Sequence, residues 1–256
     1  MPGRNQPLRG VVSAVAIVAL AYTANAFFNH TEWGLRLKSH GDVYVFAFFL
    51  PFGVIVPAAY IGWAVSMRGA PARWWGARIG WRDGAAAAVA VVVGEFLAVG
   101  ALGFDPAGLG GIANAHRLFA LLLVASTAEV LLFLGVLGSA TQLAMPTPRG
   151  WRTCLATLVV CSLAFGFFHF TYPTPWNTLD RAWGLTLVWV PVSLLFLASR
   201  SLLGAIVLNN FMAVIGFVRH HIELPGTAAG GWLQAAFAFA LFVVVFRLVT
   251  RGHRPA

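Results

Sequence analysis

Three ionisable side chains stand well inside long apolar runs of this 256-residue chain: Glu95, Glu129 and His169. An amide pair, Asn209-Asn210, stands inside another run. Ionisable groups in apolar spans are costly, and they mark a functional site by default. A carboxylate beside an imidazole in a wet cavity suits the activation of water. The carboxylate acts as general base, and the imidazole orients the water or relays its proton. An amide nearby can donate to a developing oxyanion. The plainer alternative is that Glu129 and His169 hydrogen-bond only to tie helices together. Glu95 either neutralises an arginine such as Arg117 or lines the same cavity. Catalysis requires the Glu129 carboxylate and the His169 ring to lie within one water of each other.

The elements that must position these groups are apolar helices. The chain is 59% hydrophobic and 10% charged, with a mean hydropathy of +0.80. A soluble domain carries about a quarter charged residues, so the outer surface here must largely meet lipid. A span needs about 20 apolar residues. Eight runs qualify, at about 10–28, 43–66, 84–104, 117–143, 153–172, 183–199, 201–218 and 230–248. Pro, Gly and charge mark the breaks, as in Arg68-Gly-Ala-Pro, Asp105-Pro and Pro146-Thr-Pro-Arg-Gly150. No soluble domain fits between them, and no internal period repeats. The expectation is an all-α polytopic membrane protein of eight transmembrane helices, with residues 1–256 as one integral membrane domain.

The net charge of +9 reads as orientation rather than as a nucleic-acid footprint, since no soluble domain carries a basic stripe. With eight spans, twelve of the 17 Lys and Arg residues fall on one side. That side is cytoplasmic by the positive-inside rule, which puts both termini there. The loop from Ser66 to Asp83 mixes arginines with Trp74, Trp75 and Trp81, as an interfacial segment would. Arg4 and Arg9 precede an apolar run ending Ala24-Asn25-Ala26, a pattern similar to a signal-peptide cleavage site. The run is long for a signal and continues through Phe27-Phe28, so an uncleaved first helix is expected. Cys154 and Cys161 lie two turns apart on one helix, too far for a disulfide.

Depth follows from helical rise. Glu129 lies 14 residues from Leu143, about 21 Å, and His169 lies 16 from Thr153, about 24 Å. The two fall at similar depth. Asn209, nine residues from Arg200, falls at about 13 Å, somewhat shallower.

These residues resemble the motifs of the CAAX-protease and bacteriocin-processing (CPBP, or Abi) family of intramembrane endopeptidases. That family carries a Glu-Glu-x-x-x-Arg motif, a Phe-x-x-x-His motif on a later helix and a His-x-x-x-Asn motif on another. Glu129-Val-Leu-Leu-Phe-Leu-Gly135 is similar to the first, and Phe165-Gly-Phe-Phe-His169 matches the second. The run from Ser201 to Asn209 resembles the approach to the third, with Asn209 in the His position. The resemblance covers mainly residues 113–218. It implies that Glu129 and His169 activate water, that Asn209 supports the oxyanion, and that Phe133, Phe165 and Asn210 line or support the cavity. Four family positions differ: Val130 and Leu134 replace a Glu and an Arg, Asn209 replaces a His, and Ala213 replaces an Asn. The first two lie four apart and would pair as ions in the family. Losing both together leaves no unpaired charge.

The function implied is a glutamic-type intramembrane endopeptidase that cuts a membrane-anchored protein or peptide. The bilayer is a partner and nucleic acid is not. The resemblance points to a bacterial inner membrane and to the sorting-associated, myxosortase-like branch. No cofactor is expected. Zinc takes three or four ligands, often in His-Glu-x-x-His spacing, which the chain lacks. The alternative is a catalytically impaired relative acting as membrane scaffold, immunity factor or regulatory binding protein. A transporter with Glu95 and Glu129 on an ion path is a third reading, but no inverted repeat or paired broken helices support it.

Overall fold

The computed structural model describes residues 6–40, 44–68, 122–145 and 150–219. The expected spans at 84–104 and 230–248 lie outside the described residues. So do Glu95, Arg117, most of the Ser66–Asp83 loop and both termini. Among the described residues every regular element is helical and there is no strand. Five of the described helices are long and apolar enough to cross a membrane.

Helix α1 spans Gln6–His30. It runs unbroken through Ala24-Asn25-Ala26. Leu8, Val12, Val15 and Phe27 lie exposed along it, an apolar surface suited to lipid. Helix α2, Glu32–Ser39, follows at once. It falls between the first two expected spans and is too short and too polar to register as an apolar run. Its start is a local signal instead: the Thr31 side chain caps the helix by accepting from the Gly34 amide at 3.0 Å. It is amphipathic, with Trp33 and Leu35 exposed beside Arg36 and Lys38.

Helix α3 has a π-helical first half, Val45–Ile55, and an α-helical second half, Val56–Arg68. Pro51 lies inside the π stretch. Proline has no N–H and its ring crowds the preceding turn; a wider turn there eases the crowding. Helix α4, Leu122–Ala144, also widens into a π stretch at Leu131–Gly138. Pro51 is the sequence's one hint of the first stretch, and the second has none. π-helical turns recur at functional sites, and both stretches border the cleft at Glu129.

Helix α5, Trp151–Phe168, closes with a 3-10 turn, His169–Thr171. Helix α6, Leu179–Ser199, is capped by the Thr178 side chain. It ends at Arg200, whose φ of 55° is left-handed. Helix α7 spans Leu202–Arg219. Helix α4 is the most enclosed of the described spans, with 78% of its apolar stretch buried against 22% for α1. It packs against α1, α3, α5 and α7. Helices α5 and α6 form the tightest pair because Gly166 carries no side chain. A Cβ there would lie 2.0 Å from Thr186 Oγ1 and 2.3 Å from the Ala182 carbonyl. Behind this contact Phe165 stacks on Trp189 with centroids 3.7 Å apart, and Phe133 meets both edge-on.

Candidate functional site

Glu129 is the penultimate α-helical residue of α4 before the π stretch. It is buried on the most enclosed of the described helices. Its Oε2 accepts a hydrogen bond from Asn209 Nδ2 of α7 at 2.9 Å. These residues stand 80 positions apart, so the tertiary fold brings them together. The sequence-based depth set Asn209 shallower than Glu129; the bond brings them level. It also alters the expected role of Asn209. One amide N–H was expected to serve an oxyanion, but the structure commits one to the carboxylate. The NH₂ group has two donors, so a second remains.

A small cleft opens beside Glu129, with a volume of about 10 Å³. That is about the space for one water. Its walls come from four helices, including Ala21 of α1, Phe52 and Gly53 of α3, Leu132 of α4 and Phe168 of α5. Gly53 is required by the close approach of α3 to α4: a Cβ there would lie 2.2 Å from the Ala128 Cβ. That contact sits one residue from Glu129.

His169 is buried in the 3-10 turn that ends α5. Its Nδ1 lies 2.9 Å from the Phe165 carbonyl. A carbonyl only accepts, so Nδ1 carries the proton and, in the neutral ring, Nε2 presents a lone pair. This orients the imidazole as an acceptor for a water proton. Phe165 meets the ring edge-on at 4.7 Å and Tyr172 stacks on it at 5.2 Å. Phe133 and Phe165 therefore stand in an aromatic wall behind His169, outside the lining of the Glu129 cleft.

No direct hydrogen bond joins Glu129 to His169. Phe168 links their surroundings: it lines the cleft at Glu129 and meets the His169 ring edge-on at 6.2 Å.

An adjoining polar group lies outside the site residues expected from the sequence. Asn25 is fully buried. Its Nδ2 donates to Thr171 Oγ1 at 2.7 Å, and its Oδ1 accepts from Tyr44 Oη at 2.9 Å. Asn29, one turn on, donates to Asn25 Oδ1 at 3.1 Å and accepts from Lys38 Nζ. The signal was present: Asn25 and Asn29 are amides spaced four apart at one end of an apolar run, so they share a face. The resemblance of Ala24-Asn25-Ala26 to a cleavage site drew attention from the amide itself.

Asn210 is buried next to Asn209. Val130 and Leu134 are fully buried in apolar packing, and Ala213 is half-buried on α7. Among the described residues, no group of three or more His, Cys, Asp or Glu side chains is placed to hold a metal ion. No protein-family model, curated protein or solved structure matches the chain.

Proposed function

We propose that this protein is an intramembrane endopeptidase of glutamic type that cuts a membrane-anchored protein or peptide. The observation that carries the reading is a carboxyl group buried inside a span with an amide for its partner. A purely structural carboxylate at that depth is expected to pair with a cation, and Glu129 has none among the described residues. The water-sized cleft at Glu129 and the acceptor nitrogen of His169 support the same reading.

In this mechanism Glu129 takes a proton from water as the oxygen adds to the scissile carbonyl carbon. Nε2 of His169 orients that water. The second N–H of Asn209 donates to the oxyanion. The proton held by Glu129 passes to the leaving nitrogen as the C–N bond breaks, which yields a carboxylic acid and an amine. The CAAX-protease and bacteriocin-processing motifs that Glu129, Phe165 and His169 resemble agree with these roles. The reading goes with an eight-helix frame, both termini cytoplasmic, an uncleaved α1 and a bacterial inner-membrane location. Asn25 supports the uncleaved helix, because cleavage after Ala26 would remove a residue bonded into the core.

The second reading is a non-catalytic relative that binds a membrane segment as scaffold, immunity factor or regulator. The small volume of the cleft and the commitment of Asn209 to Glu129 favour it.

The test is co-expression with candidate C-terminally anchored substrates, comparing wild type with Glu129→Gln and His169→Ala. Cleavage by wild type and by neither variant is the expected result. Cleavage that survives both substitutions refutes the assigned site. A partner that co-purifies with all three proteins and is never cut selects the binding reading.

A further inference from the structure

The polar group at the end of α1 forms a chain of donors that all point one way. Lys38 Nζ donates to Asn29 Oδ1. Asn29 Nδ2 donates to Asn25 Oδ1 at 3.1 Å, and Asn25 Nδ2 donates to Thr171 Oγ1 at 2.7 Å. Thr171 Oγ1 donates to the Phe168 carbonyl at 2.6 Å. Bonds in such a series polarise one another and strengthen the whole in a low-dielectric interior. An ammonium stands at the head of the series, where its charge aligns every amide behind it. The Lys38 ammonium also lies over the Tyr44 ring, 5.4 Å from its centroid.

The chain ends on the two residues that bracket His169. Phe168 precedes it, and Thr171 closes the 3-10 turn that carries it. The Tyr172 amide donates back to the His169 carbonyl at 3.0 Å, and the Tyr172 ring stacks on the imidazole. The fully buried Asn25 amide thus joins α1 to the turn of α5, 146 positions away, and Tyr44 of α3 completes the hub. Removing Asn25 leaves the Thr171 hydroxyl and the Tyr44 hydroxyl without their buried partner. The cheapest relief is a shift of the short turn, not of a full helix. The histidine sits in that turn.

We propose that Asn25 is a positioning residue of the site, which holds the 169–171 turn and thereby keeps His169 in its Nδ1-protonated tautomer with Nε2 left as the acceptor nitrogen. The proposal rests on the endopeptidase reading for its consequence in catalysis, and on geometry alone for its consequence at the ring. It extends the site to α1, which the motif-bearing helices do not include.

The experiment uses full-length protein labelled with ¹⁵N-histidine in micelles, with the His169 signals assigned by their loss in His169→Gln. Wild type is expected to give one protonated and one unprotonated ring nitrogen, well separated. Asn25→Ala and Thr171→Val are expected to merge these signals toward a mixture of tautomers. Thr171→Ser keeps the hydroxyl and should retain the wild-type pair. Thermal melting of each variant is recorded alongside, since a merely structural role lowers the melting point and leaves the tautomer unmoved. If Asn25→Ala does not fold, the Thr171→Val and Thr171→Ser pair carries the test. Retention of the single tautomer in Thr171→Val, or a mixture already in wild type, overturns the proposal. Where a substrate is cut, Thr171→Val should lower kcat by about 10²-fold with KM little changed, the cost of misplacing a reacting group by about 1 Å. A tautomer shift in a protein that cuts nothing leaves the positioning role standing and removes the endopeptidase reading.

Discussion

Replacing the two ends of the Glu129–Asn209 bond separately and together tests whether the site is a designed pair. Asn209→Leu and Glu129→Met keep the side-chain volumes close, so cavity effects stay small. Each single variant strands one buried polar group. A stranded buried donor or acceptor costs about 1–3 kcal/mol. The double variant strands neither, because the pair is removed whole and replaced by apolar groups of similar shape. The double variant should therefore lose less stability than the two single losses added together. Within membranes, hydrogen bonds measured this way average about 0.6 kcal/mol and reach about 1.7, because the unfolded chain finds other partners. The structure argues for the upper end here. Both residues are buried, and Asn209 supplies the only hydrogen bond to the Glu129 carboxylate among the described residues. The expected shortfall is about 1–2 kcal/mol. Reversible unfolding in mixed micelles, followed by tryptophan fluorescence, measures it through a double-mutant cycle. A shortfall below about 0.3 kcal/mol, within the additivity error for independent sites, with both single variants folded, refutes the claim that these residues form one unit.

The glycine contacts give two further outcomes. Gly53→Ala should cost about 1–3 kcal/mol, because its methyl would sit 2.2 Å from Ala128 Cβ and must push α3 off α4; Gly184→Ala, with nothing within 4 Å, should leave the melting point unchanged or raise it. Gly166→Ala should be the more damaging of the tight pair, since two of its three close neighbours are backbone atoms of α6 that cannot rotate away; a melting point equal to that of Gly184→Ala would refute the α5–α6 contact. Cys154 is partly accessible, whereas Cys161 is buried with its Sγ donating to the Phe133 carbonyl at 3.1 Å. A maleimide in detergent should therefore modify Cys154 first and reach Cys161 only on unfolding, read by mass spectrometry of the peptides.

The helical class and the positions of the long apolar runs were legible because a membrane span needs one simple thing, a sustained apolar stretch. Residues 153–172 became α5 with its terminal turn, and 183–199 fell within α6. What escaped that criterion escaped for the same reason. Helix α2 is eight residues long and begins on a cap at Thr31, so an apolar window passes over it. The π stretches of α3 and α4 preserve the apolar pattern while changing the ladder, and only Pro51 hinted at one of them. Glu129 and His169 stood out by charge in an apolar setting. Asn25 carries no charge, and its role depends on Thr171 and Tyr44 arriving beside it, a matter of tertiary structure. Asn209 stood out as an amide inside an apolar run, but helical rise alone could not place it against Glu129. Crossing helices reach one depth after different numbers of residues.

The choice of an amide as the partner of Glu129 has a chemical consequence. An arginine or lysine beside a buried carboxylate stabilises only its ionised form, and it would resist the gain of a proton. An Asn N–H donates to a carboxyl oxygen whether the other oxygen is bare or protonated. The Asn209 bond to Oε2 can therefore persist while Oε1 takes and releases a proton, with no rearrangement of α7. A group that must carry a proton from water to a leaving nitrogen needs that indifference. The apolar residues beside it serve the same end. Val130 and Leu134 are fully buried, so this stretch of α4 presents one titratable group and no charged neighbour to bias it. Exchanging a buried ion pair for well-packed apolar side chains is neutral or stabilising when both members go together. On the endopeptidase reading, the chain thus departs from the motif it resembles in a way that removes an ion pair while leaving the proton carrier, its amide partner and the oriented imidazole in place.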